Sequence, residues 1–274
     1  MANSHSTAAH ENVHGSAQID AENQRLRRLA SIAHRPALLE LERKVEPGLA
    51  ALLVVDVQND FCAQGGMMHA EGLDLSMVQG MAERVGPLID AARRAGVLCV
   101  FVKNVYSTTT NWYLSDSWLE QAWRRRGTSY IERDICGADS WSGEFYGDIR
   151  PERDDPIVIK HRYDAFTNTD LDLILRAHNV RTVVLAGVAT NVCVETTARS
   201  AFVRDYYVVV PSDAVATYSA AEQESSLKTL DRYFAEVVTI AEVEKAWKAS
   251  SGARDPGGDR SNRAVAPVQG SGNS

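Results

Sequence analysis

Three side chains that lie far apart in the sequence could act as one chemical unit: Asp56, Lys160 and Cys193. Each ends or follows an apolar run, Asp56 after ALLVV, Lys160 after IVI, and Cys193 just past VVLAGVAT. A carboxylate can take a thiol proton as general base, and an ammonium can hold the thiolate and the charge that develops after it. The chemistry of such a set is attack by sulfur on an electrophilic carbon. Taken singly, each member also has a plain role: Asp56 as a turn residue, Lys160 as a solvated strand end, Cys193 as a small buried residue.

The elements around these residues have to bring them together. Thr182 to Val188 is a short, β-branched apolar run that stops at a glycine-containing turn, and it reads as a buried strand. From Asn191 the polar and apolar residues alternate with helical spacing, which places Cys193 in the first turn of a helix. There the unpaired amide N–H groups and the positive end of the helix favour thiolate over thiol. Further strands are expected at Ala50 to Val57, Val97 to Val102, Pro156 to Lys160, Tyr207 to Pro211 and Val237 to Ile240. Helices are expected from Val78 to Ala95 with Gly96 as the stop, from Leu114 to Arg126, from a cap at Asn168 or Thr169 to His178, from Ala220 to Phe234, and finally to about Lys248. Six strands joined by helical crossovers imply a three-layer α/β/α fold with a six-stranded parallel sheet. Ligands bind such sheets at the carboxyl ends of the strands, where all three residues fall.

A chain of 274 residues with 45% hydrophobic content can bury one substantial core. Residues 36–250 carry the alternating pattern and form the expected domain. Residues 1–35 are polar, with one basic amphipathic piece, AENQRLRRLASIAHR, and read as a disordered or helical extension. Residues 251–274 have little to bury and read as a disordered tail. No apolar run reaches the ~18 residues of a membrane span and no signal-peptide core is present, so a soluble, cytoplasmic protein is expected. Four cysteines, Cys62, Cys99, Cys136 and Cys193, lack paired spacing and suit a reducing compartment. A net charge of −7 argues against a nucleic-acid partner and leaves a small molecule as the expected one.

Three segments, LLVVDVQNDFC (Leu52 to Cys62), KHRYDAFTNTDLDLIL (Lys160 to Leu175) and LAGVATNVCVETTARSAF (Leu185 to Phe202), resemble the isochorismatase-like cysteine hydrolases in kind and in order. That family includes nicotinamidase, N-carbamoylsarcosine amidohydrolase, biuret hydrolase and ureidoacrylate amidohydrolase. The chain looks most similar to the ureidoacrylate and biuret branch. The resemblance implies a catalytic triad of Asp56, Lys160 and Cys193, an oxyanion hole from the Ala189 and Cys193 amides beside a cis peptide at Val188 and Ala189, and a homodimer or homotetramer. It implies hydrolysis of a C–N bond in a linear amide or ureide through a thioester. The metal site of nicotinamidases needs histidines after the second strand, and KNVYSTTTNWYLS has none. His69 and His161 lack partners at ligand spacing, so neither metal nor cofactor is expected.

Asn59, Phe61, Trp112, Tyr163 and Phe166 lie in or near the motif loops and are the expected substrate contacts, a mixture suited to a small, flat, polar molecule. Residues 111–155 match nothing recognisable and are expected to set substrate choice. Two other readings use the same features. A thiol redox sensor would pair Cys193 with a resolving cysteine such as Cys62, and a catalytically inactive binding protein would keep the fold alone.

Overall fold

The computed structural model describes residues 21–106, 112–126 and 134–252. The extension expected before residue 21, the tail after residue 252 and parts of the 111–155 segment lie outside them. A helix, α1, covers residues 21–32 within the basic amphipathic piece.

The sheet is built around β1 (Ala50–Val55), whose residues are all buried. It lies between β2 (Leu98–Asn104) and β4 (Thr182–Val188), parallel to both. With β3 (Ile157–Lys160), β5 (Tyr207–Pro211) and β7 (Glu236–Val238), the strand order is β3-β2-β1-β4-β5-β7. All six expected strands are present to within a few residues at their ends. The sheet has seven strands, because a two-residue strand, β6 (Val215–Ala216), also pairs with β4. Two residues are too short to leave a hydrophobic pattern, which is why β6 goes unseen in the sequence.

Side chains of successive strand residues point to opposite faces, and β1 and β4 need apolar residues on both because helices cover both. Leu52 and Val54 pack in one core with α2 (Ser76–Ala95) and with Val243, Ala246 and Trp247 of the helix at Ile240–Gly252. Leu53 and Val55 face the other core, which holds Leu171 and Leu175, Ala198 and Ala201, and Leu230. These come from three further helices, at Leu171–Ala177, Glu195–Phe202 and Ala220–Tyr233. In chain order, with α3 at Asp116–Arg126, these are α4, α5, α6 and the final α7. Gly96 closes α2 in the left-handed conformation at φ 80°, as its sequence position predicts. Trp247 is buried, and its indole donates to the Val45 carbonyl at 2.9 Å, tying α7 to the segment ahead of β1. Among the described residues no helix is long and apolar enough to cross a membrane.

Candidate active site

Asp56 is the first residue past β1 and takes a positive φ of 54°, so the chain turns sharply out of the sheet there while its N–H still donates to the Val102 carbonyl at 3.0 Å. The neighbouring strand cooperates through Gly187. At φ +122° it is in a region that L side chains avoid, and a Cβ there would fall 1.9 Å from the Val55 carbonyl oxygen. Lys160 ends β3, two strands from β1, a separation of about 9.6 Å at ordinary strand spacing. Only a long side chain can reach back across that gap. Cys193 follows β4, the strand on the other side of β1.

The local structure at Cys193 differs from the expected α-helical turn. Thr190–Val194 form a turn of π-helix, with the Val194 N–H donating to the Ala189 carbonyl at 3.2 Å, and α5 begins only at Glu195. Such turns widen a helix by one residue and are frequent at functional sites. The Val188–Ala189 peptide bond is cis.

The three side chains meet. Lys160 Nζ lies 2.8 Å from Asp56 Oδ2 and 3.4 Å from Cys193 Sγ. It also donates to the Arg162 carbonyl at 3.0 Å and to Asn104 Oδ1 at 3.4 Å, so the ammonium is surrounded by acceptors although fully buried. The Asp56 contact is an ion pair between two fully buried charges.

Burial sets the protonation states. It pushes the Asp56 carboxyl above the usual range, against the opposing pull of the Lys160 charge and of hydrogen bonds from Lys160 and Cys193. Burial disfavours the Lys160 ammonium, yet Asp56 and then Cys193 outweigh it and hold Lys160 above its ordinary value. The Cys193 thiol is pushed well up by burial, with Lys160 opposing and Asp56 adding to the rise. Burial at Cys193 thus works against the thiolate that a helix end alone would favour, with Lys160 pulling the other way.

Cys193 is buried, at 8% exposure, but it lines a cavity of about 40 Å³. Asp56, Phe61, Asn104, Tyr106, Tyr163 and Ala189 are among the other walls. The aromatic side is continuous, with Trp118 packed between Tyr106 and Tyr163 at centroid distances of 5.8 and 4.7 Å. Asp60 braces the Phe61 turn, its carboxylate accepting from the Met67 N–H at 3.0 Å and the Cys136 N–H at 2.6 Å.

Of the five expected substrate contacts, Phe61 and Tyr163 line the cavity and three do not. Asn59 is turned away, its Nδ2 donating to the Trp141 carbonyl at 2.7 Å. Phe166 is buried in the second core beneath the Arg204 guanidinium and beside Tyr206. Trp112 is 80% exposed. The cap of α4 is Asp170, one residue past the expected Asn168 or Thr169, and makes no side-chain cap bond; Thr169 Oγ1 accepts from the Leu171 N–H at 3.3 Å. Sequence reasoning missed Asn104, although the signal was there, a polar residue at the carboxyl end of β2. It also missed Tyr218, which follows β6.

His69 Nδ1 meets the Gly65 N–H at 3.2 Å and His161 Nδ1 meets the Val105 carbonyl at 2.7 Å, so both rings have backbone partners. All four cysteines are free and buried, and the Cys62 thiol is pushed up by burial and then by Asp56.

The family model described as the isochorismatase domain matches residues 50–242. The chain belongs to the isochorismatase family. Ureidoacrylate amidohydrolase RutB of Methylorubrum extorquens is 33% identical to this isochorismatase-family chain over 217 residues, 75% of this chain and 85% of the relative. RutB of Variovorax paradoxus is 33% identical over 208 residues, covering 72% and 81%. Among solved structures, a cysteine hydrolase from Pseudomonas syringae pv. phaseolicola superposes with a TM-score of 0.65 at 29% identity, covering 80% of this chain and all of that one. N-carbamoylsarcosine amidase from Thermoplasma acidophilum does so at 0.55 and 28%, covering 70% and 96%.

Proposed function

We propose that the protein is a cysteine-dependent amidohydrolase that cleaves a C–N bond in a small linear amide or ureide through a thioester on Cys193. The observation that carries this reading is the Lys160 ammonium held between the Asp56 carboxylate and the Cys193 sulfur, at 2.8 and 3.4 Å, in the wall of a cavity. Relatives named as ureidoacrylate amidohydrolases and a solved N-carbamoylsarcosine amidase support the choice of C–N chemistry.

Asp56 removes the Cys193 proton, and the sulfur attacks the substrate carbonyl carbon. The Ala189 and Cys193 backbone N–H groups receive the carbonyl oxygen, and donors fixed in advance around a developing oxyanion are an effective source of rate acceleration. Lys160 stays protonated and stabilises the negative charge on sulfur and carboxylate in turn. Asp56 then returns the proton to the departing nitrogen, ammonia or an amine leaves, and the acyl group remains on sulfur as a thioester, or a thiocarbamate where the substrate is a ureide. Water attacks that carbon, Asp56 takes its proton, and the thiol is restored. A carboxyl raised by burial suits this double duty, because it is a stronger base than an ordinary aspartate and, once protonated, still an acid.

Ammonia release from a panel of ureides and carboxamides tests the proposal, with intact-mass analysis of acid-quenched enzyme. Wild type releases ammonia and carries the acyl adduct on Cys193. Cys193→Ala shows neither while keeping its melting temperature. A Cys193→Ala protein that turns over at the wild-type rate would refute the nucleophile.

A further inference from the structure

The π-turn that carries Cys193 is held from outside by one stretch of chain. β6 pairs with the end of β4, Val215 beside Gly187 and Ala216 beside Val188, and so runs alongside the residues that lead into the turn. The next residue, Thr217, is 1% exposed and donates Oγ1 to Asn191 Oδ1 at 2.7 Å. Further on, in α6, Ser226 is 4% exposed, and its Oγ donates to Glu195 Oε2 at 2.5 Å and to the Thr190 carbonyl at 3.2 Å. One hydroxyl proton is shared between the two, and the carboxylate at the shorter distance takes the larger part. Glu195 is itself fixed by Arg199, whose Nη2 lies 2.6 Å from Oε1.

These contacts fall on both ends of the turn: Thr190 and Asn191 where it opens, and Glu195 where it passes into α5. The π form is the rarer one, so its register has to be imposed by groups outside it. Relaxing a one-residue widening shifts the chain on one side of it by one helical position, about 100° and 1.5 Å. Cys193 lies between the anchored ends with its Sγ 3.4 Å from Lys160 Nζ, and a shift of that size would carry the sulfur out of reach. Neither Thr217 nor Ser226 is among the residues that line the cavity.

We infer that Thr217 and Ser226 are positioning residues for the nucleophile: their hydroxyls hold the π-turn in the register that presents Cys193 Sγ to Lys160 and Asp56. They act through the turn and touch no substrate. The inference rests on the amidohydrolase reading, in which Cys193 is the attacking group. It also gives the two-residue strand β6 a purpose, because its pairing with β4 delivers Thr217 to the turn.

Thr217→Val keeps the shape and removes the hydroxyl, Thr217→Ser keeps the hydroxyl, and Ser226→Ala removes the second one. On the member of the ureide and carboxamide panel that wild type turns over fastest, Thr217→Val combined with Ser226→Ala should lower kcat by about 10²-fold, the cost of about 1 Å of misplacement, with KM little changed. Thr217→Ser should recover most of the kcat that Thr217→Val loses. A merely structural role would lower the melting temperature and leave the kcat of the folded enzyme alone. An unchanged kcat in the double variant, a loss confined to KM, or a Thr217→Ser protein as slow as Thr217→Val would overturn the assignment. If the double variant folds poorly, each single substitution carries the same comparison. If wild type hydrolyses nothing in the panel, the amidohydrolase reading fails for those substrates, and the clamp is read from alkylation of Cys193 by iodoacetamide at neutral pH. Moving the sulfur away from its base and its ammonium should slow that reaction by about tenfold or more, and an equal or faster rate in the double variant overturns the inference.

Discussion

Replacing Lys160 with methionine keeps most of the apolar stem of the side chain and deletes its ammonium. Lys160 Nζ is fully buried 2.8 Å from Asp56 Oδ2. At an effective dielectric of about 20, opposite unit charges at that separation attract by about 6 kcal/mol. Removing one member of a buried pair typically costs about 3–5 kcal/mol, and the variant is expected in that range. Asp56 has a way to limit the loss. With its main lowering influence gone, burial raises its pKa further, and it takes up a proton rather than remain charged and alone. A carboxyl whose folded pKa exceeds its unfolded value binds the proton more tightly when folded, so stability falls as pH rises from the unfolded value through the folded one. Lys160 itself, raised above its ordinary value in the wild type, contributes stability that is fully present below that ordinary value, and adds no slope in the neutral range. The stability gap between wild type and Lys160→Met should therefore widen in urea titrations as pH rises from the raised Asp56 value of the wild type through the still higher value of the variant. A gap that stays constant with pH, or lies below about 1 kcal/mol, would show that the ammonium and carboxylate are not a coupled buried pair.

Two further outcomes are expected. The acid limb of kcat/KM should fall above the ordinary aspartate value of 3.8, because activity is lost as pH drops through the raised Asp56 pKa; a limb at or below 3.8 would remove Asp56 as the base. Gly187→Ala places a Cβ 1.9 Å from the Val55 carbonyl oxygen at a φ of +122°, so a loss of about 3 kcal/mol or more, or failure to fold, is expected in thermal or urea unfolding; an alanine variant of normal stability would contradict the close approach of β1 and β4.

How much of this was readable from the residues depends on what surrounds each one. β1 and β4 are covered on both faces, so each appears as an unbroken apolar run with legible ends. The edge strand β7 has no fully buried residue and begins one residue earlier than its apolar pattern suggests. The triad could be picked out because the carboxyl ends of parallel strands converge on one lip of the sheet. By the same rule Asn104 was within reach, since it ends β2. The π-turn at Cys193 was not, because a helix widened by one residue keeps nearly the same alternation as an ordinary one. Side-chain direction was also hidden: Asn59 and Phe61 lie two positions apart in one loop, yet a bond to the Trp141 carbonyl turns the first away while the second faces the cavity.

The bond from Trp247 to the Val45 carbonyl joins residues 202 apart in the chain. During synthesis the apolar face of α2 is made well before α7, the helix that shields it. Until then the part of α2 that packs on α7 has no roof, so a nascent or truncated chain ending before α7 would present a greasy flank to chaperones and to other unfinished copies. Assembly of this core is in this sense gated by α7, and deletions that remove Trp247 should act on yield before they act on turnover.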